Sequence, residues 1–285
     1  MPNMCDYEPK TKRFITDWEI IEQVEISSGI FRSVLKEQNI ATVSRPGQFV
    51  NVQTAAGYDP LLRRPFSVHA VDPDKGTFSL LYDVVGRGTK LLKAMHKGDI
   101  VSVIGPLGSA FDIGDDPSVS HVLVAGGCGT APIHFLSDYI CRNHGCSNVI
   151  VLVGAKAGDG VLCYREFVAH GVNVEVATED GSFGFHGLVT DLLASCLSDK
   201  FSTSTGIRVY SCGPMAMMRE VARICREMKV GCCQLSLETA MACGMGVCMG
   251  CAVKTRSASG KDGEWTYSRA CTEGPVFNAE ELVWE

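Results

Sequence analysis

Residues 121–140, HVLVAGGCGTAPIHFLSDYI, run from an apolar, β-branched stretch through a glycine-rich turn into a segment with helical periodicity. A short apolar run followed directly by a helix is typical of a buried parallel strand. Strand patterns recur as NVIVLVGA at 148–155, VNVEVAT at 172–178 and IRVYSCG at 207–213, and AMMREVARICREM at 216–228 has the pattern of an amphipathic helix. Four strands separated by helices predict a small doubly wound α/β domain over residues 116–233.

Two loops of this domain are candidates for binding a dinucleotide. Gly126-Gly127-Cys128-Gly129-Thr130-Ala131-Pro132 lies between the first strand and the first helix, where α/β sheets bind dinucleotides, although G-x-G-x-x-G is absent. Cys212-Gly213-Pro214-Met215 follows the fourth strand and should lie beside the first loop. We expect a crevice for nicotinamide and its phosphates there; a tight strand-to-helix turn is the alternative for each loop alone. The predicted binding residues are Gly126, Gly127, Gly129, Thr130, Cys212, Gly213 and Pro214.

Upstream, short strands with alternating polarity extend from about Trp18 to Ile113. Turn signals separate them at Arg45-Pro46-Gly47, Ala56-Gly57, Asp72-Pro73-Asp74 and Lys97-Gly98-Asp99. Evenly spaced short strands predict an antiparallel β-barrel over residues 14–115. The chain as a whole is therefore expected to be an α+β multi-domain protein, with a third, small domain over residues 234–285.

Two motifs of the barrel offer groups suited to a flavin. Arg64-Pro65-Phe66-Ser67 provides a guanidinium, an aromatic face and a hydroxyl at a strand edge, and arginine can clamp a pyrophosphate bidentately. Leu81-Tyr82-Asp83 is followed by Gly86-Arg87-Gly88-Thr89, which opens the helical segment KLLKAM, so that backbone N–H groups can face a phosphate. The alternatives are an exposed arginine beside a core phenylalanine, and a simple helix N-cap at Gly88-Thr89.

Four cysteines near the C-terminus have the spacing of an iron–sulfur site. Cys243, Cys248 and Cys251 in MACGMGVCMGC form C-x4-C-x2-C, and Cys271 follows in RACTEGPVF. This is the pattern of a plant-type 2Fe–2S cluster, and the interleaved glycines let backbone N–H groups approach the sulfurs. Structural zinc is the alternative metal, although it prefers paired C-x2-C units or Cys and His mixtures. The polar stretch TRSASGKDGEW at 255–265 is expected to be a hairpin or loop of this small, metal-held domain.

The composition excludes several classes of function. The 285 residues suffice for two or three domains, and a net charge of −6 argues against nucleic acid or an anionic membrane as the main partner. The N-terminal MPNMCDYEPKTKRF lacks the apolar core of a signal peptide, and no run approaches the roughly 20 apolar residues of a membrane span. We therefore expect a cytoplasmic protein. The ten other cysteines, among them Cys141, Cys146, Cys196 and Cys225, are expected to be small buried hydrophobes.

No side chain is predicted to be catalytic, because bound cofactors carry hydride and electron transfer. The histidines lack mutual or cysteine spacing; they are His69, His96, His121, His134, His144, His170 and His186. The turn at 178–182, TEDGS, can orient a ribose or adenine, and Lys156 can meet a 2′-phosphate. A solvated polar turn and a solvated lysine are the alternatives, so the choice between NAD and NADP stays open.

The order of these motifs resembles the ferredoxin–NADP⁺ reductase superfamily. Within it, the chain is similar to the electron-transfer subunits of type B dihydroorotate dehydrogenase over nearly its whole length. The segments that carry this resemblance are LLRRPFSV, the GRGT turn, EDGSFGFHG, LSLETAMACGMGVCMGCAVK and CTEGPVF.

The resemblance implies three cofactors, which are FAD, a 2Fe–2S cluster and NAD. FAD would be held by Arg64, Pro65, Phe66, Ser67, Leu81, Tyr82, Asp83, Gly88 and Thr89, and the cluster by Cys243, Cys248, Cys251 and Cys271. It also implies a separate, FMN-containing catalytic subunit that oxidises dihydroorotate, usually in a heterotetramer with two copies of each subunit. Electrons would then pass from FMN through the cluster and FAD to NAD⁺.

Two positions depart from the family pattern. Cys128 stands where a third glycine is common, and the nineteen residues between Cys251 and Cys271 make a long gap. Small subunits of bifurcating ferredoxin–NADP⁺ oxidoreductases are similar, but they tend to carry aspartate where this chain has Cys243. The alternatives to the dihydroorotate role are the same module in another complex, such as a hydrogenase, and a zinc-stabilised binding module.

Overall fold

In the computed structural model, which describes residues 13–55, 57–200, 206–257 and 264–284, the N-terminal part is a closed barrel with strand order β1-β2-β5-β4-β3-β6. Its strands are β1 (Phe14–Ser27), β2 (Ile30–Lys36), β3 (Phe49–Val52), β4 (Arg64–Asp72), β5 (Thr77–Asp83) and β6 (Ile100–Leu107), with helices α1 (Gln38–Val43) and α2 (Arg87–Lys93) in the connections. Trp18 packs edge-on against Phe78 in the interior, with ring centroids 4.9 Å apart. All neighbouring strands are antiparallel, so the predicted barrel is confirmed.

A seven-stranded sheet follows, with the order β10-β9-β8-β7-β11-β12-β15. Its strands are β7 (Ser120–Gly126), β8 (Val149–Ala155), β9 (Asn173–Thr178), β10 (Phe185–His186), β11 (Ile207–Cys212), β12 (Cys232–Ser236) and β15 (Val276–Asn278). The four strands predicted from the sequence are β7, β8, β9 and β11. The prediction of only four was wrong, because β10, β12 and β15 are too short to show a strand pattern and β15 comes from the far C-terminus.

Helices cover both faces of this sheet. They are α3 (Thr130–His144), α4 (Tyr164–Ala169), α5 (Val189–Lys200) and α6 (Met215–Glu227). Leu123 and Ala125 of β7 pack in one cluster with α3 and α4, whereas Val122 and Val124 pack in another with α5 and α6. Complete burial of such aliphatic side chains contributes about 1.5–3 kcal/mol each. The predicted doubly wound arrangement is confirmed.

The C-terminal part adds a hairpin and an edge strand. β13 (Ala252–Arg256) and β14 (Trp265–Arg269) pair antiparallel, as expected for a hairpin, while residues 258–263 of the predicted loop lie outside the described residues. Cys251, Cys271 and Phe277 share a hydrophobic cluster with Phe49 of the barrel and Leu235 of the sheet. The cysteine segment is therefore packed against both larger parts of the molecule.

Two of the other cysteines differ from expectation. Cys196 and Cys225 are buried in the cluster beside α5 and α6, as predicted. Cys141 and Cys146 are instead joined by a disulfide at the C-terminal end of α3, with their Cα atoms 4.4 Å apart.

Among the described residues, no helix combines the length and the apolar character needed to cross a lipid bilayer.

Candidate functional site

The two flavin-type motifs of the barrel lie in contact. Arg64 begins β4, and a Cβ atom on Gly88 of α2 would lie 2.7 Å from its Nε. The absence of a side chain at Gly88 therefore leaves room for this arginine to cross the first turn of α2. The Thr89 hydroxyl accepts a hydrogen bond from the Gly86 N–H and donates to the Gly86 carbonyl, both at 3.1 Å, so the turn does cap the helix, with Gly86 rather than Gly88 as the N-cap. The structure thus brings together the two motifs, which are distant in sequence.

The alternation of β5 divides its three candidate residues between two surfaces. Tyr82 points into the barrel, where its ring lies 5.3 Å from that of Phe66 and its hydroxyl accepts a hydrogen bond from Gln23 Nε2 at 3.3 Å. Burial raises the pKa of Tyr82. Leu81 instead packs against Leu123 and its neighbours in the sheet, and Asp83 is exposed at the end of the strand. Of the three, Leu81 and Asp83 face the second domain.

The two loops of the second domain touch each other at the carboxyl edge of the sheet. β7 and β11 are parallel neighbours, with Cys212 opposite Ala125. A Cβ atom on Gly129 would overlap the carbonyl of Cys212, and one on Gly126 would lie 3.1 Å from Cδ of Pro214. Glycine is needed at Gly129, where the backbone of the second loop is in the way, and a side chain at Gly126 would press on Pro214. The predicted neighbourhood of the two loops is what the structure shows.

The buried hydroxyl of Thr130 lies beside these loops. Thr130 is fully buried, and its Oγ1 has no hydrogen-bond partner in the structure. Buried polar groups are nearly always hydrogen-bonded, and an unpaired one is costly. A ligand in the crevice that offers a donor or acceptor to Thr130 would satisfy it, as the phosphate or amide groups of a dinucleotide can.

Cys128, Asp83 and Glu238 lie near one another where β5 of the barrel meets the carboxyl edge of the sheet, and we call this region the crevice. Sequence reasoning assigned neither Cys128 nor Glu238 a role there. Burial, followed by the nearby carboxylates of Glu238 and Asp83, raises the pKa of Cys128 to about 12, so its thiol stays protonated. Glu238 is open to the crevice, yet protein surrounds it on most sides, and this desolvation raises its pKa. The available signal for Glu238 was its position two residues beyond β12, at the carboxyl edge of the sheet.

The cysteine loop is shaped by glycines and by contacts to the barrel. Gly244 has a φ of +68°, and a Cβ atom there would overlap Nδ2 of Asn51. That same nitrogen donates a hydrogen bond of 2.9 Å to the Cys243 carbonyl, which attaches the loop to β3. Gly246, with a φ of +91°, places its carbonyl 2.7 Å from Arg269 Nη1. The loop is therefore held in one shape by neighbours outside it.

Backbone N–H groups point at three of the four sulfurs. Val247 N–H donates to Cys243 Sγ at 3.3 Å, Gly250 N–H to Cys248 Sγ at 3.4 Å and Cys271 N–H to Cys251 Sγ at 3.4 Å. Burial acts to raise the pKa of Cys243, but hydrogen bonds from Met245, Cys248 and Val247 outweigh it and bring the value to about 6. Such donors favour thiolates, the form in which cysteine binds metal.

The four thiols are arranged as two pairs. Cys243 contacts Cys248, and Cys251 contacts Cys271. In the part of the chain that the structure describes, no three His, Cys, Asp or Glu side chains gather in a way that could hold one metal ion. Two thiol pairs suit a two-iron cluster, with one pair for each iron, better than a single tetrahedral zinc.

The remaining candidates form local structure. The Thr178 hydroxyl accepts a hydrogen bond from the Phe183 N–H at 3.0 Å, and Asp180 accepts one from the Ser182 N–H at 2.9 Å, which makes the predicted polar turn. Lys156 is exposed. Two histidines without an assigned role, His69 and His134, are buried and stacked where the barrel meets the sheet.

Comparison with known proteins identifies the family of the barrel and of the cysteine segment. Residues 238–283 match the family model described as the iron-sulfur cluster binding domain of dihydroorotate dehydrogenase B, and residues 17–111 match the oxidoreductase FAD-binding domain. FAD and an iron–sulfur cluster are therefore cofactors of this chain, in agreement with the sequence analysis.

Two curated relatives match almost end to end. A protein of Desulforamulus reducens named dihydroorotate dehydrogenase B (NAD(+)), electron transfer subunit, is 37% identical over 95% of this chain and 99% of its own length. A protein of the same name from Bacillus mycoides is 37% identical over 93% of this chain and 96% of its own length.

Solved structures share the fold. An NADH-dependent reduced ferredoxin-NADP oxidoreductase, described for flavin-based electron bifurcation, has a TM-score of 0.78 and 27% identity over 94% of this chain and 90% of its own. A ferredoxin NADP⁺ reductase from Neisseria gonorrhoeae with bound FAD and NADP has a TM-score of 0.63, covering 76% of this chain and 92% of its own; at 15% identity it supports the fold alone.

Proposed function

This chain belongs to the family of dihydroorotate dehydrogenase B electron transfer subunits, and on that premise we propose that it passes electrons from a partner that oxidises dihydroorotate to NAD⁺. As an electron transfer subunit of an oxidoreductase, it works with a catalytic subunit. We propose further that the partner contains FMN, that two copies of each subunit form a heterotetramer, and that the assembly is cytoplasmic.

One observation supports this route above the others. Asn51, which attaches the cysteine loop to β3, lies opposite Pro65 of β4 in the barrel register. Asn51 thus contacts the cysteine loop through its side chain, while its backbone lies on the strand next to the Arg64–Ser67 segment, with about 5 Å between the two strands. A short distance between the two sites is what transfer of single electrons between them requires.

The residues of this chain form three proposed sites, for FAD, NAD and the cluster. When bound, the cluster exchanges single electrons and FAD converts them into the hydride chemistry of NAD⁺. We propose that FAD is held by Arg64, Pro65, Phe66, Ser67, Leu81, Tyr82, Asp83, Gly88 and Thr89, with the rings of Phe66 and Tyr82 packed together on the barrel side. The loops at 126–130 and 212–214 would bind NAD, and Cys243, Cys248, Cys251 and Cys271 would hold the cluster. The three proposed units are residues 14–115, 116–233 and 234–285, although β12 spans the second boundary.

The surface of the cysteine loop suits a partner protein. Cys248 is exposed, and the apolar side chains beside it are also open to solvent: Val247 is 79% exposed, Met249 48% and Met245 36%. Exposed apolar groups around a redox site are typical of a protein–protein contact. We propose that the catalytic subunit docks here, because docking would cover these side chains and bring its own cofactor close to the cluster.

Reconstitution tests the proposal. The chain, co-expressed and purified with an FMN-containing dihydroorotate dehydrogenase subunit, should contain FAD and iron and should support dihydroorotate-dependent reduction of NAD⁺ under anaerobic conditions. The partner alone should not reduce NAD⁺. A complex that contains both cofactors and still fails to reduce NAD⁺ would contradict the proposed function.

A second candidate rests on the structural neighbour. The fold recurs with 27% identity in the NADH-dependent reduced ferredoxin-NADP oxidoreductase described for flavin-based electron bifurcation, and the second candidate is therefore a reductase subunit of another complex. Cys243, at the position where the bifurcating subunits tend to carry aspartate, favours the dihydroorotate role. Co-purification from the native cell separates the two candidates, because it identifies the subunit bound to the cysteine loop.

A further inference from the structure

Helix α3 lies along the barrel and joins it to the sheet. Phe135 of α3 is buried in the barrel core, and one turn further on Tyr139 accepts a hydrogen bond of 2.8 Å from Arg45 Nη1. The helix begins at Thr130, directly after the loop proposed to bind NAD. Strand β4, against which it packs, begins at Arg64 of the segment proposed to bind FAD. The contact between α3 and β4 thus joins the two cofactor sites.

At the centre of this contact two buried imidazoles are stacked. The rings of His69 on β4 and His134 on α3 lie 4.4 Å apart between centroids, with an angle of 20° between their planes. His134 Nδ1 is 3.2 Å from the carbonyl oxygen of His69, so it must carry the proton and donate it. His134 Nε2 is buried and has no hydrogen-bond partner. The helix is thus attached to one particular carbonyl of the strand.

His69 is held on both of its ring nitrogens. Nδ1 is 2.9 Å from Ser79 Oγ on β5, and Nε2 is 3.5 Å from Cys163 Sγ, immediately before α4. Burial raises the pKa of the Cys163 thiol, and this thiol and the Ser79 hydroxyl can each donate or accept, so either neutral tautomer of His69 has a partner at both nitrogens. The stack therefore ties β4, β5, α3 and α4 together through neutral groups.

The surroundings keep both imidazoles uncharged. Burial, then His134 and Arg32 of β2, lower the pKa of His69 well below its usual value. Burial also lowers the pKa of His134, and His170 after α4 adds to this, while the His69 carbonyl, Glu166 of α4 and Asp138 of α3 oppose it. A proton on either ring would place a charge in a desolvated stack, next to the other imidazole.

We propose that His134 and His69 are positioning residues for hydride transfer: their stack fixes the helix that starts at the NAD loop against the strand that starts at the FAD segment. Thr130 is about 6 Å from His134 along the helix, and Arg64 is about 17 Å from His69 along the strand. A small rotation at the stack thus changes the distance between nicotinamide and flavin. This inference rests on the proposed function, because it assumes that both cofactors bind where assigned.

Replacement of His134 tests the inference in the purified chain with its FAD and cluster. His134→Phe keeps a ring of similar size but cannot donate to the His69 carbonyl, whereas His134→Asn keeps a donor at the position of Nδ1. We expect His134→Phe to slow the reduction of FAD by saturating NADH about tenfold, since misplacement of reacting atoms by an ångström or less costs that much or more. His134→Asn should restore most of the rate, and Tyr139→Phe, which loses the Arg45 contact of the same interface, should stay within about twofold of wild type.

The readouts are stopped-flow flavin reduction at several NADH concentrations, FAD content and the cluster spectrum. A lower maximal rate in His134→Phe, with FAD and iron unchanged, is the expected result. A wild-type maximal rate, or a loss of rate that only follows a loss of FAD, would overturn the inference. Wild-type protein in which NADH does not reduce FAD at all would instead overturn the proposed function.

A pH profile tests the inference even if His134→Phe does not fold. In the wild type, the maximal rate should stay constant as the pH falls through about 6.5, the value of an unperturbed imidazole, because burial keeps both pKa values below it, and should fall only at lower pH. The fall should shift in His134→Asn, which has one titrating ring fewer. A wild-type rate that falls in step with an unperturbed imidazole near pH of about 6.5, with FAD retained, would contradict the neutral, buried stack.

Discussion

The cysteine loop and the crevice between barrel and sheet both contain cysteines, yet they shift the pKa values of Cys243 and Cys128 in opposite directions. In the loop, backbone N–H groups donate to Cys243 and bring its pKa to about 6. In the crevice, burial and the carboxylates of Glu238 and Asp83 raise the pKa of Cys128 to about 12. Donors around the thiol thus favour the thiolate at Cys243, whereas Cys271, whose pKa is raised to about 12 by burial and by Cys251, would have to lose its proton as the metal binds.

The two regions also differ in how they are held. Glycines with positive φ and contacts from Asn51 and Arg269 fix the loop, which leaves its outer side open to a partner. The crevice is formed by two separate parts of the chain that meet through buried side chains, including the His69–His134 stack. Substitutions in the loop should therefore remove the cluster and stop electron transfer there. Substitutions in the crevice should instead change the distance between nicotinamide and flavin.

The largest expected effect comes from Cys248→Ser. Because Cys248 is exposed and its neighbours hold the loop, the fold should persist while the cluster is lost. We expect dihydroorotate-dependent NAD⁺ reduction to fall at least about a hundredfold, beyond the range seen for changes in groups that only support a ligand. NADH should still bleach the flavin.

Iron analysis and the visible spectrum check this result, with Cys128→Ser as the matched control. The control should retain its full iron content, because Cys128 lies in the crevice. If Cys248→Ser also abolished the reduction of FAD by NADH, the separation of the two regions would be wrong.

Gly244→Ala is expected to have the next largest effect. An alanine at a φ of +68° costs about 1–2 kcal/mol, and its Cβ would also overlap Nδ2 of Asn51. We predict reduced iron occupancy and a less stable loop, measured by iron content and by the rate of cluster loss on warming. Gly250→Ala is the control: its φ is not positive and its Cβ would be 3.4 Å from Cys248 Sγ, so iron occupancy should change less. Equal losses in both variants would argue against a preformed loop.

Acid should weaken the crevice through its buried histidines. The folded-state pKa values of His69 and His134 lie below the unfolded value of about 6.5, so the unfolded chain binds protons first as the pH falls. The stability that the neutral rings provide is complete above that pH and declines below it, by at most about 1.4 kcal/mol per pH unit for each ring.

Thermal release of FAD, followed by flavin fluorescence from pH 7.5 to 5, measures this decline. His134→Asn should flatten the curve, and the exposed His96→Asn should leave it unchanged. Identical curves for all three proteins would show that the stack does not control the interface.

Glu238→Gln should have the smallest effect. An ionised Glu238 in the crevice favours the positively charged nicotinamide of NAD⁺ over neutral NADH, and its raised pKa means that this preference grows as the pH rises through that pKa. The ratio of the two affinities should change by about two- to fivefold in the variant, as for partly solvated ion pairs. Binding titrations at pH 5.5 and 8 measure it; a ratio in the wild type that is independent of pH would contradict the role of Glu238.

The parts of the molecule that depend on local sequence could be predicted. The spacing of Cys243, Cys248 and Cys251, with glycines between them, is a local pattern whose chemistry follows from the loop alone. The strand-to-helix turns at Gly126 and Cys212 likewise follow from the apolar strands before them. Family resemblance added the FAD assignment, which the FAD-binding domain match at 17–111 supports.

The remaining features depend on contacts between distant residues. His69 and His134 are 65 positions apart and meet only because α3 packs on β4. β15 has three residues, and it is a strand only because β12 offers it an edge. Tyr82 was grouped with Leu81 and Asp83 as a flavin residue, and the position of its ring inside the barrel beside Phe66 follows only from the alternation of β5. Such features require the register and packing of the whole fold.

The central claim is that electrons enter this chain at the cysteine loop and leave it at the crevice. An anaerobic titration of the complex with dihydroorotate, in the absence of NAD⁺, tests this most directly. The account predicts that the cluster and FAD absorbance of this chain both bleach, and that added NAD⁺ then restores them as NADH forms. If dihydroorotate reduced only the partner's flavin while the cluster and FAD stayed oxidised, the claim would be contradicted.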